Sequence, residues 1–229
     1  MIKRYQLWLF LGILSGFLWG LNNYLYAEGA EAADMAAAIG VGIMFSLACT
    51  AVNDMSAALA LLAVNGCRGA LSLGKLRRLI SRPGAFLCAA ALLGGPLGQL
   101  SYCLGILWAG PTYALAVSAL YPVLGCILAK VFLRQAITGR MAIGILLAVL
   151  GAVVTGYTPT DEAPPLLLPG ICCAFFAALC WGSEIVLAVR GMDVIPPDVA
   201  ITLRECISGT VLLFMAFTFF PVCLSSADS

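Results

Sequence analysis

Histidine is absent from this chain of 229 residues, and charged residues make up only 10% of it. Without histidine, the chain has no histidine acid–base group, no histidine metal ligand and no Ser-His or Cys-His nucleophile pair. No glycine-rich phosphate-binding motif is visible, so nothing indicates a bound nucleotide. The sequence therefore predicts no enzyme, no metal site and no cofactor.

Cysteine spacing and basic runs exclude two further classes. The ten cysteines include no CxxC pair, and most lie inside apolar stretches, where cysteine behaves as a small apolar side chain. The chain has a net charge of +1, and its basic residues are concentrated only in the short segment 68–82. Nucleic-acid binding is therefore not predicted.

Long apolar runs dominate what remains. The chain is 62% hydrophobic, its mean hydropathy is +1.05, and runs of about twenty apolar residues recur along its length. This pattern predicts an all-α fold, a polytopic bundle of about seven transmembrane helices. The predicted spans are Tyr5–Tyr26, Met35–Asn65, Gly84–Trp108, Thr112–Leu133, Met141–Tyr157, Leu166–Arg190 and Asp198–Cys223.

Charge asymmetry orients these spans. Of the 12 Lys and Arg residues, 11 fall on one predicted side, namely Lys3, Arg4, Arg68, Lys75, Arg77, Arg78, Arg82, Lys130, Arg134, Arg140 and Arg190. The opposite loops carry only acidic residues, namely Glu28, Glu31, Asp34, Asp161, Glu162 and Asp228. Because cytoplasmic loops are enriched in Lys and Arg, we expect the cytoplasmic membrane as the location and a cytoplasmic N-terminus.

The sixth span repeats features of the first. Trp181-Gly182 matches Trp19-Gly20 when the two spans are aligned, and an odd number of spans separates their starts, so the second copy would be inverted. The second copy also carries Glu184 well inside the apolar run. A charge there costs about 2.5–3.5 kcal/mol even on the lenient insertion scale. These features are typical of secondary transporters built from inverted repeats.

The segment from Gly110 to Ala152, GPTYAL…SALYPVLG…FLR…GRMAIGILLAVLGA, resembles the end of one repeat of the drug/metabolite transporter superfamily, EamA type. The resemblance implies inverted five-helix repeats around a central cavity through which small metabolites cross without ATP. It implies a complete first repeat over residues 1–160 and an incomplete second copy, of two helices, over 161–229. A homodimer or a missing second-half chain would then complete the cavity.

Glu184 and Arg204 are the main candidates for the substrate or proton pathway. Both lie about 9 Å from the same end of consecutive helices, at 1.5 Å per residue, and an unpaired charge at that depth is costly, so we expect them to pair. Glu205 is expected to face elsewhere, because neighbours in a helix diverge in direction. Either Glu184 binds a proton or a cationic substrate group, with Arg204 as its partner or as an anion anchor, or the two form a structural ion pair that holds two helices in register.

Other polar residues in the spans are weaker candidates. Asp54, beside Asn53, is either a functional acid or a buried group held by a Ser or a backbone carbonyl. Asn22 and Asn23 either line a cavity or lie at headgroup level. Gln99 and Tyr121 are added to the pathway set. Helix breaks are predicted at Gly95 and Pro96 and at Pro122; the first is either a substrate site or a packing kink.

Two functions remain open. The first is a secondary transporter that moves small metabolites or drug-like molecules across the cytoplasmic membrane without ATP. The second is a truncated or split transporter half that needs a partner chain and does not transport alone.

Overall fold

The computed structural model describes residues 2–32, 39–156 and 164–227. Within these ranges the secondary structure is helical, with no strand. The helices are α1 (Ile2–Ala32), α2 (Ile39–Cys67), α3 (Leu73–Leu76), α4 (Arg82–Leu92), α5 (Leu100–Ala109), α6 (Pro111–Ser118), α7 (Tyr121–Phe132), α8 (Gly139–Gly156), α9 (Leu167–Met192) and α10 (Pro197–Ala227). A 3-10 turn covers Arg77–Leu79, and a π-helix, Leu93–Gln99, joins α4 to α5.

Five helical segments in the described ranges are long and apolar enough to cross a membrane. They are Gly40–Cys67, Arg82–Ala109, Pro111–Phe132, Leu167–Met192 and Pro197–Phe220. These segments indicate a membrane protein with a helical bundle. Two of the seven predicted spans, the helices α1 and α8, are not among the five: α8 is a shorter apolar helix, and α1 carries Asn22, Asn23 and Glu28 in its second half.

Several sequence predictions fall outside the described residues. Four acids of the predicted outer loops, Asp34, Asp161, Glu162 and Asp228, lie there, and so does the predicted boundary between residues 160 and 161.

The predicted break at Gly95 and Pro96 takes the form of a wider helical turn. The helix runs without interruption from Arg82 to Ala109, and Pro96 lies inside the π-helix. Proline removes one backbone donor and crowds the preceding turn, and a π-bulge accommodates such a change of spacing without ending the helix. The predicted interruption of the helix was therefore wrong, but the backbone irregularity lies at the predicted position.

Pro122 marks a true change of helix. α6 ends at Ser118, and α7 begins at Tyr121 with Pro122 in its first turn. Because proline lacks a backbone N–H, it is tolerated at a helix start, where that donor would have no partner. The predicted helix break at Pro122 is therefore confirmed: two short helices meet just before it and together make one apolar segment.

Small residues on α9 let the neighbouring helices approach closely. A Cβ atom added at Gly182 would lie 3.0 Å from the backbone nitrogen of Gly125 in α7, and one added at Gly105 in α5 would lie 3.2 Å from the Cβ of Ala174. Ala174 is fully buried. Close backbone approach through small residues is typical of helices packed in a membrane. It places α9 between α5 and α7 and so fixes the position of Glu184.

Candidate functional site

Arg204 on α10 is the centre of an ionic network in which Asp54 is buried and the other charged side chains are half-buried. Its Nε donates a hydrogen bond of 3.0 Å to Oε1 of Glu184 on α9, and its Nη1 donates one of 2.8 Å to Oε1 of Glu205. The same Nη1 lies 3.9 Å from Oδ2 of Asp54 on α2. The predicted pairing of Glu184 with Arg204 is confirmed. One guanidinium thus serves carboxylates from three helices.

Asp54 is the most deeply buried acid of this network, with 1% of its surface exposed. Its Oδ1 accepts a 3.0 Å hydrogen bond from the Asn53 amide, and the Ser208 hydroxyl donates to its Oδ2. Ser208 itself is fully buried. Asp54 was expected to be either a functional acid or a buried group held by a serine or a backbone carbonyl. In the structure its carboxylate is held by the Ser208 hydroxyl and also lies near Arg204.

The glycine pair of the π-helix makes room for this network. A Cβ atom at Gly94 would overlap the carboxylate of Glu184, and one at Gly95 would overlap the hydroxyl of Ser208. The indole nitrogen of Trp181 donates a 2.9 Å hydrogen bond to the carbonyl oxygen of Gly94. A membrane helix with irregular backbone needs such a partner for its carbonyl groups.

Three aromatic rings contact Trp181, which lies about one turn before Glu184 on α9. The ring centroid of Trp181 lies 5.9 Å from that of Trp19, 5.2 Å from that of Tyr102 and 5.9 Å from that of Tyr121. Trp19 also stacks on Tyr102 at 5.8 Å. The tryptophans of the two Trp-Gly motifs therefore contact each other.

A cavity of about 550 Å³ opens between α1, α6, α7 and α9. Glu184 lines it together with Trp19, Tyr121 and Trp181, and the remaining wall comes from Gly12, Ser15, Gly16, Leu115, Ser118, Ala119 and Ile185. The cavity thus combines aromatic faces with one carboxylate. Aromatic rings attract cations within about 6 Å of the ring centroid, and the attraction is worth about 2 kcal/mol when the group is desolvated.

The structure brings together most of the predicted site residues. Glu184, Arg204, Asp54 and Asn53 belong to the ionic network, and Tyr121 belongs to the cavity wall.

The remaining predicted residues lie elsewhere. Gln99 and Pro96 are buried in the π-helix without lining the cavity, and Pro122 lines a different cavity of about 220 Å³. Asn22 is exposed, and Asn23 is buried; neither lines the cavity. The Nδ2 atom of Asn23 makes no hydrogen bond within the described part of the chain.

Sequence reasoning was wrong about one residue and missed others. Glu205 does not face elsewhere, because its carboxylate turns back to the guanidinium of the preceding residue. Ser208 was missed, although its position four residues after Arg204 places both on one face of α10, which was a usable signal. Trp19 was noted only as part of a repeat.

The described residues contain no group of three or more His, Cys, Asp or Glu arranged to hold a metal ion. The nine cysteines that the structure describes are free thiols. The site offers its ligands carboxylates, aromatic faces and hydroxyls.

Comparison with known proteins gives one similarity. No family model matches the chain. The chain is 29% identical over 132 residues to Protein LicB of Haemophilus influenzae, an alignment that covers 56% of this chain and 44% of LicB. The aligned part therefore spans less than half of that relative's length.

Proposed function

We propose that this chain is a secondary transporter that moves small organic cations across the cytoplasmic membrane without ATP. The observation that carries the proposal is the composition of the 550 Å³ cavity, in which Trp19, Tyr121 and Trp181 stand beside the carboxylate of Glu184. Aromatic faces and one carboxylate are the groups that recognise an ammonium group stripped of water. Glu184 already pairs with Arg204, but Arg204 is shared with Glu205 and Asp54, so three carboxylates face one positive charge. A cationic ligand adds the positive charge that this network lacks, whereas an anionic ligand would add to its negative charge.

The proposed architecture is that of the drug/metabolite transporter superfamily, EamA type. It comprises seven spans, a cytoplasmic N-terminus and a second repeat that is an inverted copy of the first. The contact between Trp19 and Trp181 supports this, because equivalent residues of two inverted repeats meet near the repeat interface, where such transporters bind substrate. Chemical catalysis is not part of the proposal, since the chain contains no histidine.

Binding of a probe cation provides the first test. Tetraethylammonium is titrated into the purified protein while tryptophan fluorescence is recorded. Uncharged alcohols of similar size serve as controls. We expect saturable quenching by the cation alone. The Glu184→Gln variant should weaken binding at least about tenfold, equivalent to about 1.4 kcal/mol. Ser183→Ala, one residue away and half-buried, with its hydroxyl bonded to the backbone of its own helix, is the matched control.

Transport is tested in proteoliposomes by counterflow. Vesicles preloaded with unlabelled tetraethylammonium should accumulate the labelled cation, and Glu184→Gln should abolish the accumulation while the variant still elutes as a folded species. Normal counterflow by a folded Glu184→Gln protein would overturn the role of Glu184. Absence of both binding and counterflow across a panel of organic cations would overturn the proposed function.

A second candidate is a transporter half that functions only with a second copy or a partner chain. It is supported by α8, where no described side chain from residue 139 to residue 154 is buried. A Cβ atom at Gly144 on this helix would have no neighbour within 4 Å. Counterflow by the isolated chain, with a monomeric mass in detergent and in lipid nanodiscs, would exclude this candidate.

A further inference from the structure

A second, smaller cavity lies next to the first. Its volume is about 280 Å³, and its wall includes Ala188, Met192 and Ile201. These residues place it beside the connection between α9 and α10, one to two helical turns beyond Glu184. Among the described residues that line the two cavities, Glu184 is the one they have in common. Arg204, its ion-pair partner, lines the second cavity.

The Glu184–Arg204 pair therefore stands at the boundary between the two cavities. The carboxylate is fixed by the 3.0 Å hydrogen bond from the Arg204 Nε and lies directly over Gly94 of the π-helix. In this arrangement the Glu184–Arg204 pair separates the two cavities at the residue that they share.

Arg204 has other partners besides Glu184. Its Nη1 is 2.8 Å from Glu205 and 3.9 Å from Asp54. The planar guanidinium presents several donors at once, so it can lose one carboxylate and keep the others. A buried arginine with a single carboxylate could not do this without becoming an uncompensated charge.

A cation at Glu184 competes with Arg204 for the same carboxylate. When the cation binds from the larger cavity, it supplies the positive charge that Glu184 needs. Arg204 then remains neutralised by Glu205 and Asp54, so the exchange leaves no group of the network without a partner of opposite charge. Two structural facts carry this step: the shared position of Glu184 and the branched pairing of Arg204.

We propose that Arg204 is a positioning residue that releases Glu184 and keeps Glu205 and Asp54 when an organic cation binds, and that this release opens the passage to the second cavity. The proposal rests on the proposed function, since it needs a cation in the first cavity. It adds a gate and assigns Glu205 the role of the partner that holds Arg204 once Glu184 is released.

The gate is tested by the accessibility of the second cavity. In the full chain carrying Ala188→Cys, the rate of modification by a small charged maleimide is measured with and without tetraethylammonium. Peptide mass spectrometry reads each cysteine separately, and Cys67, which is exposed at the end of α2, is the internal reference. We expect modification at position 188 to accelerate at least about threefold on binding, because a ligand raises the population of the state that it prefers.

Glu205→Gln separates a gate from a purely structural pair. It neutralises the closer of the two carboxylates that Arg204 would keep after releasing Glu184. We therefore expect the cation still to quench tryptophan fluorescence while the acceleration of modification at position 188 is lost. A structural pair would give no acceleration in the parent protein either. If Glu205→Gln does not fold, the parent measurement decides alone.

The outcomes separate failure of the gate from failure of the proposed function. Tryptophan quenching without a change in modification at position 188 overturns the gate and leaves the proposed function intact. Absence of both quenching and counterflow in the parent protein across the panel of organic cations overturns the proposed function, and the gate with it. Quenching accompanied by acceleration that persists in Glu205→Gln overturns the role of Glu205.

Discussion

The indole rings of Trp19 and Trp181 meet edge to face, with their centroids 5.9 Å apart and their planes at 71°. The two residues are 162 positions apart in the chain, and each is followed by a glycine. Both rings line the cavity that contains Glu184. The contact joins α1 to α9, the helix that bears Glu184.

Trp181→Phe is predicted to destabilise the protein. The substitution keeps an aromatic ring but removes the indole N–H that donates to the carbonyl oxygen of Gly94. An unsatisfied buried polar group costs about 1–3 kcal/mol, so the thermal transition should fall. Trp19→Phe, measured in the same way, is the control, because Trp19 stacks without a hydrogen bond in the described structure. Equal losses for the two variants would contradict the role of the Gly94 bond.

Gly94→Ala is predicted to weaken cation binding by about tenfold or more, equivalent to about 1.4 kcal/mol. The added methyl group would occupy the place of the Glu184 carboxylate, which would have to move away from the cavity and from Arg204. Fluorescence titration with tetraethylammonium measures the effect. Gly144→Ala should bind normally, since a Cβ atom there has nothing within 4 Å.

Ser208→Ala is predicted to lower the free energy of unfolding by about 1–3 kcal/mol, because one oxygen of the fully buried Asp54 loses its donor. Denaturation in detergent micelles at several mole fractions of sodium dodecyl sulfate gives the difference. Ser183→Ala removes only a bond to its own helix backbone and should change stability little.

Arg204→Gln is predicted to cause the largest loss of stability, about 3–5 kcal/mol, as expected when a buried ion pair loses one partner. The double variant Arg204→Gln with Glu184→Gln should recover part of this loss, because one of the uncompensated carboxylates is then neutral. The same micelle denaturation reports both variants. Additive losses in the double variant would show that Glu184 and Arg204 are not energetically coupled.

Asn23→Leu is predicted to leave stability unchanged or to raise it. The Asn23 amide nitrogen is buried and has no hydrogen-bond partner within the described residues, so an apolar side chain of similar volume removes a desolvation penalty of about 1 kcal/mol. A clear loss of stability would mean that the amide has a partner in the folded protein, and normal counterflow by the variant would exclude a role in the pathway.

Sequence patterns sufficed for much of the fold. The helical segments follow the apolar runs, and Pro111, Pro122 and Gly110 lie where helices begin or turn. The ion pair was also predictable, since Glu184 and Arg204 occupy equal depths on consecutive helices. Apolar runs and depth are one-dimensional quantities, which a helix converts into height at 1.5 Å per residue.

The linear pattern could not show which face of each helix meets which neighbouring helix, or which rotamer each side chain adopts. Glu205 reaches back to Arg204 through its rotamer, and this choice depends on the surrounding charges rather than on spacing. The π-helix at Gly94 and Gly95 rotates the residues after it, and it is shaped by the side chains of Glu184 and Ser208 that fill the space beside it.

The sequence by itself determined that the chain is a helical membrane protein with a buried acid and a buried base, because composition and apolar length decide which segments can leave water. The tertiary structure alone decided that one guanidinium is shared by Glu184, Glu205 and Asp54 and that Trp19 and Trp181 wall the same cavity. The physical reason is that these contacts join residues far apart in the chain, and close packing of small side chains on α9 sets the distances between them.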